Sequence, residues 1–445
     1  MPRTPVSLAV FVWLICVGQL ASGGSQSGAG TAALPMGIPS RLSLSAAQEI
    51  AFANNFDLVA TQANVDLAVA TKIAAYEWPN PNFTFSPTKI DIHQRQGTSL
   101  GNSWADRTYD TIVAVSELFE IGKRSRRQAS ARAGVEAARA QLEDAHRTLD
   151  LGVTKAYLAA LLAEANATVL SDSARALRKE ATIAKTRLNA GDLSDSDQAQ
   201  IEINADQLDL NAKSAESTAI QARIQLEVLL GDRHPDGKIE LTESLGSLAD
   251  IPFEIVFTVP VNRPDVVAAE AAVRKADYDI ALAKAGRIPD LTFQTQYERN
   301  PPDPLNSVGF SFGFPLPVLN HNDGAIQAAS ASREIAVSQL DKTRQGVISD
   351  ITTAEAAYQE ARTRLGRYET TVRPAARKVR DAVTFAFDRG GASLLDLLEA
   401  QRTDNDIRAA TEQAEADCVT AAAALAAAYD RRFPAEMKKE GSTKK

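Results

Sequence analysis

Cysteine is almost missing: the 445-residue chain has two. Cys16 falls in an apolar N-terminal run and follows Trp13-Leu14-Ile15, bulkier than a lipoprotein processing site usually has. With that run removed, Cys418 would stand alone, which excludes an internal disulfide. Histidine is as scarce. His93, His146, His234 and His321 lie far apart in different expected elements, without the His/Cys spacing of a metal site, and read as surface or loop residues. No P-loop or nucleophile elbow occurs, so neither catalytic residues nor a cofactor are expected, and the chain does not read as an enzyme. Basic charge is not in excess either: the net charge of −8 argues against a general nucleic-acid binder. Aromatics make up only 6%, and abundant alanine suggests helices that pack closely.

What is present begins with an export signature. Arg3, the apolar run Val6 to Val17, and the small residues Ala21, Ser22 and Gly23 have the layout of a secretory segment over 1–23. Gly24–Gly30 is Gly/Ser-rich and reads as part of a flexible lead-in over 24–41.

Two stretches alternate with period two. Leu291, Phe293, Thr295 and Tyr297 oppose Thr292, Gln294, Gln296 and Glu298; further on, Val308, Phe310, Phe312, Phe314 and Leu316 oppose Gly309, Ser311 and Gly313. Asn300-Pro-Pro-Asp-Pro304 between them reads as a turn. Each arm is about 11 residues, roughly what a tilted strand needs to cross a bilayer. A soluble, half-buried hairpin fits the pattern equally well. An earlier pair matches it: Pro81-Asn-Phe-Thr-Phe85 resembles Pro289-Asp-Leu-Thr-Phe293, and Thr108–Leu118 places Tyr109, Thr111, Val113 and Val115 on one face.

The rest is helical by pattern. Leu44 to about Glu77 reads as one or two helices after the cap Ser43. Lys123 to Asn189 reads as one very long helix with a seam of Val135, Ala138, Leu142, Ala145, Leu149, Gly152, Ala156 and Ala159. Further helices are expected over Ser194–Leu230, Arg263–Ala285, Gly324–Asp388 and Ser393–Arg431, with Pro374 interrupting the third of these locally. Two breaks share the pattern G-x-x-S-x-x-D: Gly191 to Asp197 and Gly390 to Asp396, offset by 199 residues. Glycine ends one helix in a left-handed conformation, and serine caps the next. The expected divisions are a first repeat over 42–231, a connector over 232–262, a second repeat over 263–433 and a polar tail over 434–445.

One chain thus supplies four strands. In a membrane an open sheet leaves edge groups without partners, and four strands are too few for a barrel. The chain must then associate with copies of itself, two giving eight strands and three giving twelve; the arithmetic does not choose.

Phe119-Glu-Ile-Gly-Lys-Arg124, Arg263-Pro-Asp-Val-Val-Ala-Ala-Glu270, Ile288-Pro-Asp-Leu-Thr-Phe293, Phe314-Pro-Leu-Pro-Val-Leu-Asn320 and the two glycine turns resemble the TolC-like outer membrane efflux channel family. The likeness is to the branch serving heavy-metal cation exporters and spans Leu42 to Tyr429. The resemblance implies a mainly α fold with a small transmembrane β part: a homotrimer with a twelve-stranded β-barrel in outer membrane lipid and a periplasmic α-helical barrel. It also implies a passive exit duct for metal cations or drugs, docked on a periplasmic adaptor protein and an inner-membrane efflux pump. A protein-secretion duct and a non-channel periplasmic coiled-coil protein are the alternatives.

Carried over from the family, Asp396 and Glu399, with Asp197 beside them, would form acidic rings at the pore constriction. Stabilisation of the helix dipole is the plainer role for them. Ala392 and Phe387 stand where the family can have a locking Arg and a Tyr. The resemblance places adaptor docking at Gly191, Ser194, Gly390 and Ser393, which otherwise read as solvent-facing turns. Lys123, Arg124, Arg126 and Arg127 read as a solvated helix start or as an interface with lipid phosphates.

Overall fold

Periodicity switches between two and 3.6 wherever a strand pair meets a helix, so blocks of strands and blocks of helices follow one another along the chain. The computed structural model describes residues 37–90, 108–191, 193–249, 262–299 and 306–434. The expected secretory segment, most of the lead-in, His93, the Asn300–Pro304 turn, part of the connector and all but the start of the tail lie outside the described residues.

In chain order the elements are β1 Arg41–Leu42, α1 Leu44–Asn54, α2 Phe56–Tyr76, β2 Asn82–Ile90, β3 Thr108–Phe119, α3 Lys123–Ala190 and α4 Asp195–Leu229. The second half holds β4 Glu240–Leu241, α5 Leu245–Ala249, α6 Pro264–Ala285, β5 Leu291–Arg299, β6 Asn306–Gly313, α7 Asp323–Arg367, a π-helix Tyr368–Val372, α8 Arg373–Asp388 and α9 Leu394–Ala428. Asn55 separates α1 from α2, because its side chain accepts from the amides of Asp57 and Leu58 at 3.0 and 3.2 Å and restarts the helix. Arg41, at the end of the expected lead-in, begins a strand instead and pairs in parallel with Glu240.

Three tiers share one arrangement. The sheet runs β2-β3-β5-β6, with every pair antiparallel. On one side of the sheet α2 packs on α3, α3 on α6 and α6 on α7; farther along, α4 packs on α3, α3 on α9 and α9 on α8. Each tier is a row of four with first-half elements at one edge (β2, α2, α4) and second-half elements at the other (β6, α7, α8). Helix α3 runs unbroken for 68 residues, about 100 Å at 1.5 Å per residue, and serves both helical tiers.

That shared position corrects the expected seam. Of that seam Val135 is buried, but Ala159 is exposed and Ala138, Leu142 and Ala145 are only half-buried, whereas Ala133, Ala137, Ala140, Val153, Tyr157 and Leu161 are buried. A helix gripped from both sides buries two stripes, and the expected line runs between them. The arms β5 and β6 are also shorter than expected, at 9 and 8 residues. Pro315 and Pro317 offer no amide to prolong the ladder.

The core gathers where the tiers meet. Tyr157 is fully buried, with its hydroxyl against the Leu42 carbonyl at 2.9 Å and against the Glu243 carboxylate. Burial, with the carboxylate beside it, pushes that phenol well above its ordinary value. Gln48, also fully buried, donates to Thr154 Oγ1 at 3.2 Å and to the Phe433 carbonyl at 2.6 Å. The start of the fold, its longest helix, the connector and the C-terminal segment are thereby tied together.

The expected interruption at Pro374 takes the form of a π-turn. The Arg373 amide bonds back to Tyr368, five residues earlier, which widens the helix just before a residue with no N–H. Among the described residues no helix is long and apolar enough to cross a membrane.

Candidate functional site

The sheet sorts its residues by face. Phe83, Val115, Thr295 and Phe310 form one cross-strand row, and Phe85, Val113, Tyr297 and Val308 the next. On the other face the rows read Thr84, Ala114, Gln296, Gly309 and Asn82, Ser116, Gln294, Ser311. One face is therefore apolar and aromatic, with Phe293 against Phe312 at 5.0 Å between ring centroids, and the other polar and small. Glu117, opposite Phe293, and the end row Thr111, Arg299 and Asn306 are departures on the apolar face. Such a sheet suits lipid on one side and water on the other.

The basic run at the start of α3 is neither simply solvated nor open. Lys123 meets Asp290 at 2.8 Å, Arg127 forks onto Glu120 at 2.5 and 3.0 Å, and Arg126 donates to the Gly122 carbonyl. Arg124 donates to the Tyr76 carbonyl at 2.7 Å and lies 4.0 Å from the Trp78 ring centroid. These bonds brace the passage from strand to helix. Nothing in the sequence pointed to Asp290 as the partner of Lys123, 167 residues away.

At the far end of the helices the structure brings the two glycine turns together. Gly191 at φ 84° and Gly390 at φ 74° terminate α3 and α8 in the left-handed region. Ser194 accepts from the Asp197 amide at 3.1 Å, and Ser393 from the Asp396 amide at 3.2 Å. Leu193 beyond the first turn and Leu394 beyond the second pack on one cluster with Leu177, Ala184, Ile201 and Ala205. The predicted docking residues thus share one end of the molecule.

The acidic candidates divide. Asp396 closes a capping box, its Oδ2 accepting from the Ser393 amide at 3.0 Å and from Ser393 Oγ at 2.7 Å. Those bonds hold its carboxyl below the ordinary carboxylate value. Glu399 is exposed one turn along, and Asp197 is half-buried in the first turn of α4.

Sequence reasoning missed a charged cavity just above the turns, between α3, α8 and α9. Asp172, Glu180, Asp381, Asp388 and Asp404 line it against Arg380 and Arg408. Asp404, only 3% exposed, is held by Arg380 at 2.6 Å. Burial raises the Glu180 carboxyl, Asp388 adds to the rise and Arg187 opposes it. The only sequence signal was the density of acids flanking the turns. Among the described residues no group of three or more His, Cys, Asp or Glu could hold a metal ion.

The family model described as outer membrane efflux protein matches residues 48–232 and again 259–429. Each range carries one hairpin of the sheet and one glycine turn. The chain is 24% identical over 388 residues to the cobalt-zinc-cadmium resistance protein CzcC of Cupriavidus metallidurans, covering 85% of this chain and 88% of the relative. It is 25% identical over 375 residues to nodulation protein T of Rhizobium leguminosarum bv. trifolii, covering 80% and 78%. Among solved structures it superposes on the CmeC outer membrane channel of Campylobacter jejuni with a TM-score of 0.72 at 17% identity, over 90% of this chain and 89% of that one. The outer membrane protein VceC of Vibrio cholerae gives 0.72 at 18%, over 88% and 96%. The two-faced sheet, the long helices and a family match in both halves lead to one conclusion: the chain belongs to the outer membrane efflux protein family and is a TolC-like efflux channel of the outer membrane.

Proposed function

We propose that three copies of this chain close edge to edge into a twelve-stranded β-barrel continued by an α-helical barrel, and that this duct passively carries metal cations out of the cell. The observation behind this reading is the open row of four repeated in three tiers. A sheet edge in lipid leaves amides and carbonyls without partners, each costing several kcal/mol or thereabouts. Pairing β6 of one copy with β2 of the next removes both edges at once. Large apolar side chains left exposed on the edge helices, Val59 and Leu67 on α2, Ile203 and Leu210 on α4, Ile335 and Ile348 on α7, would be covered by the same closure.

An inner-membrane pump supplies the energy through a periplasmic adaptor, which docks on the turns at Gly191–Ser194 and Gly390–Ser393. Asp396, Glu399 and Asp197 repeat around the axis at that end as a constriction favouring cations. The metal cargo is suggested by CzcC, named for cobalt, zinc and cadmium resistance; drugs are the other cargo class. The two repeats, 42–231 and 263–433, would each contribute half of every tier.

Native mass in detergent and conductance in planar bilayers test the duct. Trimers that conduct are expected; a lipid-indifferent monomer that conducts nothing overturns it. Loss of zinc, cobalt or cadmium resistance on deleting the gene, with drug resistance unchanged, is the expected cargo result, and the reverse pattern makes drugs the cargo.

A further inference from the structure

Eleven consecutive residues, from Phe310 to Asn320, are exposed, and they include Phe314, Leu316, Val318 and Leu319. Leu319 is 97% exposed. The stripe Val308, Phe310, Phe312 thus continues as Phe314, Leu316, Val318 beyond the last paired residue of β6. Strands β5 and β6, of 9 and 8 residues, lie at and just below the roughly 9–11 that a bilayer crossing requires. Past Gly313 the stretch leaves the ladder, and its apolar side chains find no cover within one copy.

A matching segment lies at the opposite edge and the same end of the sheet. There Trp78-Pro79-Asn80-Pro81 leads into β2. Trp78 is held with one ring face on the Arg124 guanidinium at 4.0 Å, yet the residue remains 61% exposed. Both segments alternate proline, Pro79 and Pro81 against Pro315 and Pro317, so neither can extend a hydrogen-bonded ladder. Chain direction completes the match: β6 descends toward α7 while β2 ascends from α2.

We propose that Phe314–Leu319 of one copy packs along Trp78–Pro81 of the next, a side-chain seam that continues the subunit boundary below the barrel. The occupant is a second copy of this chain, and the inference rests on the edge-to-edge closure proposed above. Closing β6 onto the neighbouring β2 lays the two proline segments side by side, because each directly prolongs one of the paired edges. The open face of Trp78 then meets Leu316 and Pro317, an aromatic plane on aliphatic and ring carbons. Backbone pairing would stop where the prolines begin, and packing alone would carry the contact onward to the edge helices.

Cysteine pairs test the seam in a full-length chain whose Cys16 and Cys418 are replaced by serine. Trp78→Cys with Leu316→Cys, or Asn80→Cys with Val318→Cys, is oxidised in the outer membrane, and native mass is measured on the same sample. We expect a trimer with disulfide-linked dimers and trimers several-fold above the single-cysteine controls. Leu319→Cys alone, which removes less, should be shielded from a water-soluble maleimide in the trimer and exposed after dissociation. A trimer whose pairs do not link and whose Leu319→Cys thiol labels freely, from water or through a lipid-partitioning reagent, overturns the seam and leaves the duct standing. A monomer by native mass overturns the closure itself.

Discussion

Arg187, near the end of α3, reaches Asp388 at the end of α8, 3.6 Å between charged atoms, and its guanidinium lies 5.5 Å from the Phe387 ring centroid. It also donates to the Asp388 carbonyl at 3.3 Å. The tie joins the two helix hairpins just above their turns. Exposed ion pairs are worth about 1 kcal/mol or less, so loss of this tie should shift gating rather than folding. Arg187→Glu sets like charges together, and we expect raised single-channel conductance with unchanged trimer stability. Wild-type conductance would show that the tie bears no gating load.

The two serine caps should differ in weight. Ser194 Oγ bonds the Asp197 amide and Ser196 Oγ, whereas Ser393 shares a reciprocal box with Asp396. Ser→Ala at such a cap costs about 1 kcal/mol. Ser393→Ala should speed amide exchange in the first turn of α9 more than Ser194→Ala does in α4. Equal rates would show that the box adds nothing.

Glu399 is the cleaner probe of an acidic constriction. Asp396→Ala breaks a cap and removes a charge together, so its effect is ambiguous. Glu399→Gln removes charge from an exposed residue with its helix turn intact. We expect weaker cation selectivity and weaker block by multivalent cations in planar bilayers. Unaltered selectivity in Glu399→Gln and in Asp396→Asn/Glu399→Gln would dismiss the ring.

Acidification should act on the Glu180 cavity in a definite direction. A carboxyl whose folded-state pKa is raised binds its proton more tightly folded than unfolded, so it destabilises the fold when charged. That penalty is present above the raised value and disappears as pH falls toward the ordinary value of 4.5. Asp396 runs oppositely: its depressed pKa gives stability above 3.8 that is lost only at more acidic pH. Wild type minus Glu180→Gln should therefore gain melting temperature as pH drops from 7 to about 5. Glu164 and Asp430, also raised by burial, cancel in that difference. A flat difference would refute the buried-charge account.

Local signals in this chain were read well and distant ones were not. Alternation gave the strand faces, because one residue's slip inverts a whole strand and the register is strongly determined. Gly191, Ser194, Gly390 and Ser393 announced their turns, since left-handed geometry and amide capping depend on neighbours only. The interruption at Pro374 was legible for the same reason, though not the π-turn that absorbs it. Lys123 with Asp290, Tyr157 with Glu243 and Arg187 with Asp388 were invisible, because each depends on which helices lie side by side. The seam on α3 was misplaced because period cannot tell a helix with one neighbour from a helix clasped by several. At the tip, residue types located the two turns, while the capping bond that occupies Asp396 emerged only from geometry.

The bond from Gln48 to the Phe433 carbonyl makes completeness a condition of the fold. A copy ending before Phe433 would bury the Gln48 amide with less to satisfy it and lack that ring in its core. The last turn of the described chain is thereby a structural member of the first: loosening Phe433 would be felt at α1 and at the middle of α3, nearly four hundred and nearly three hundred residues away in sequence.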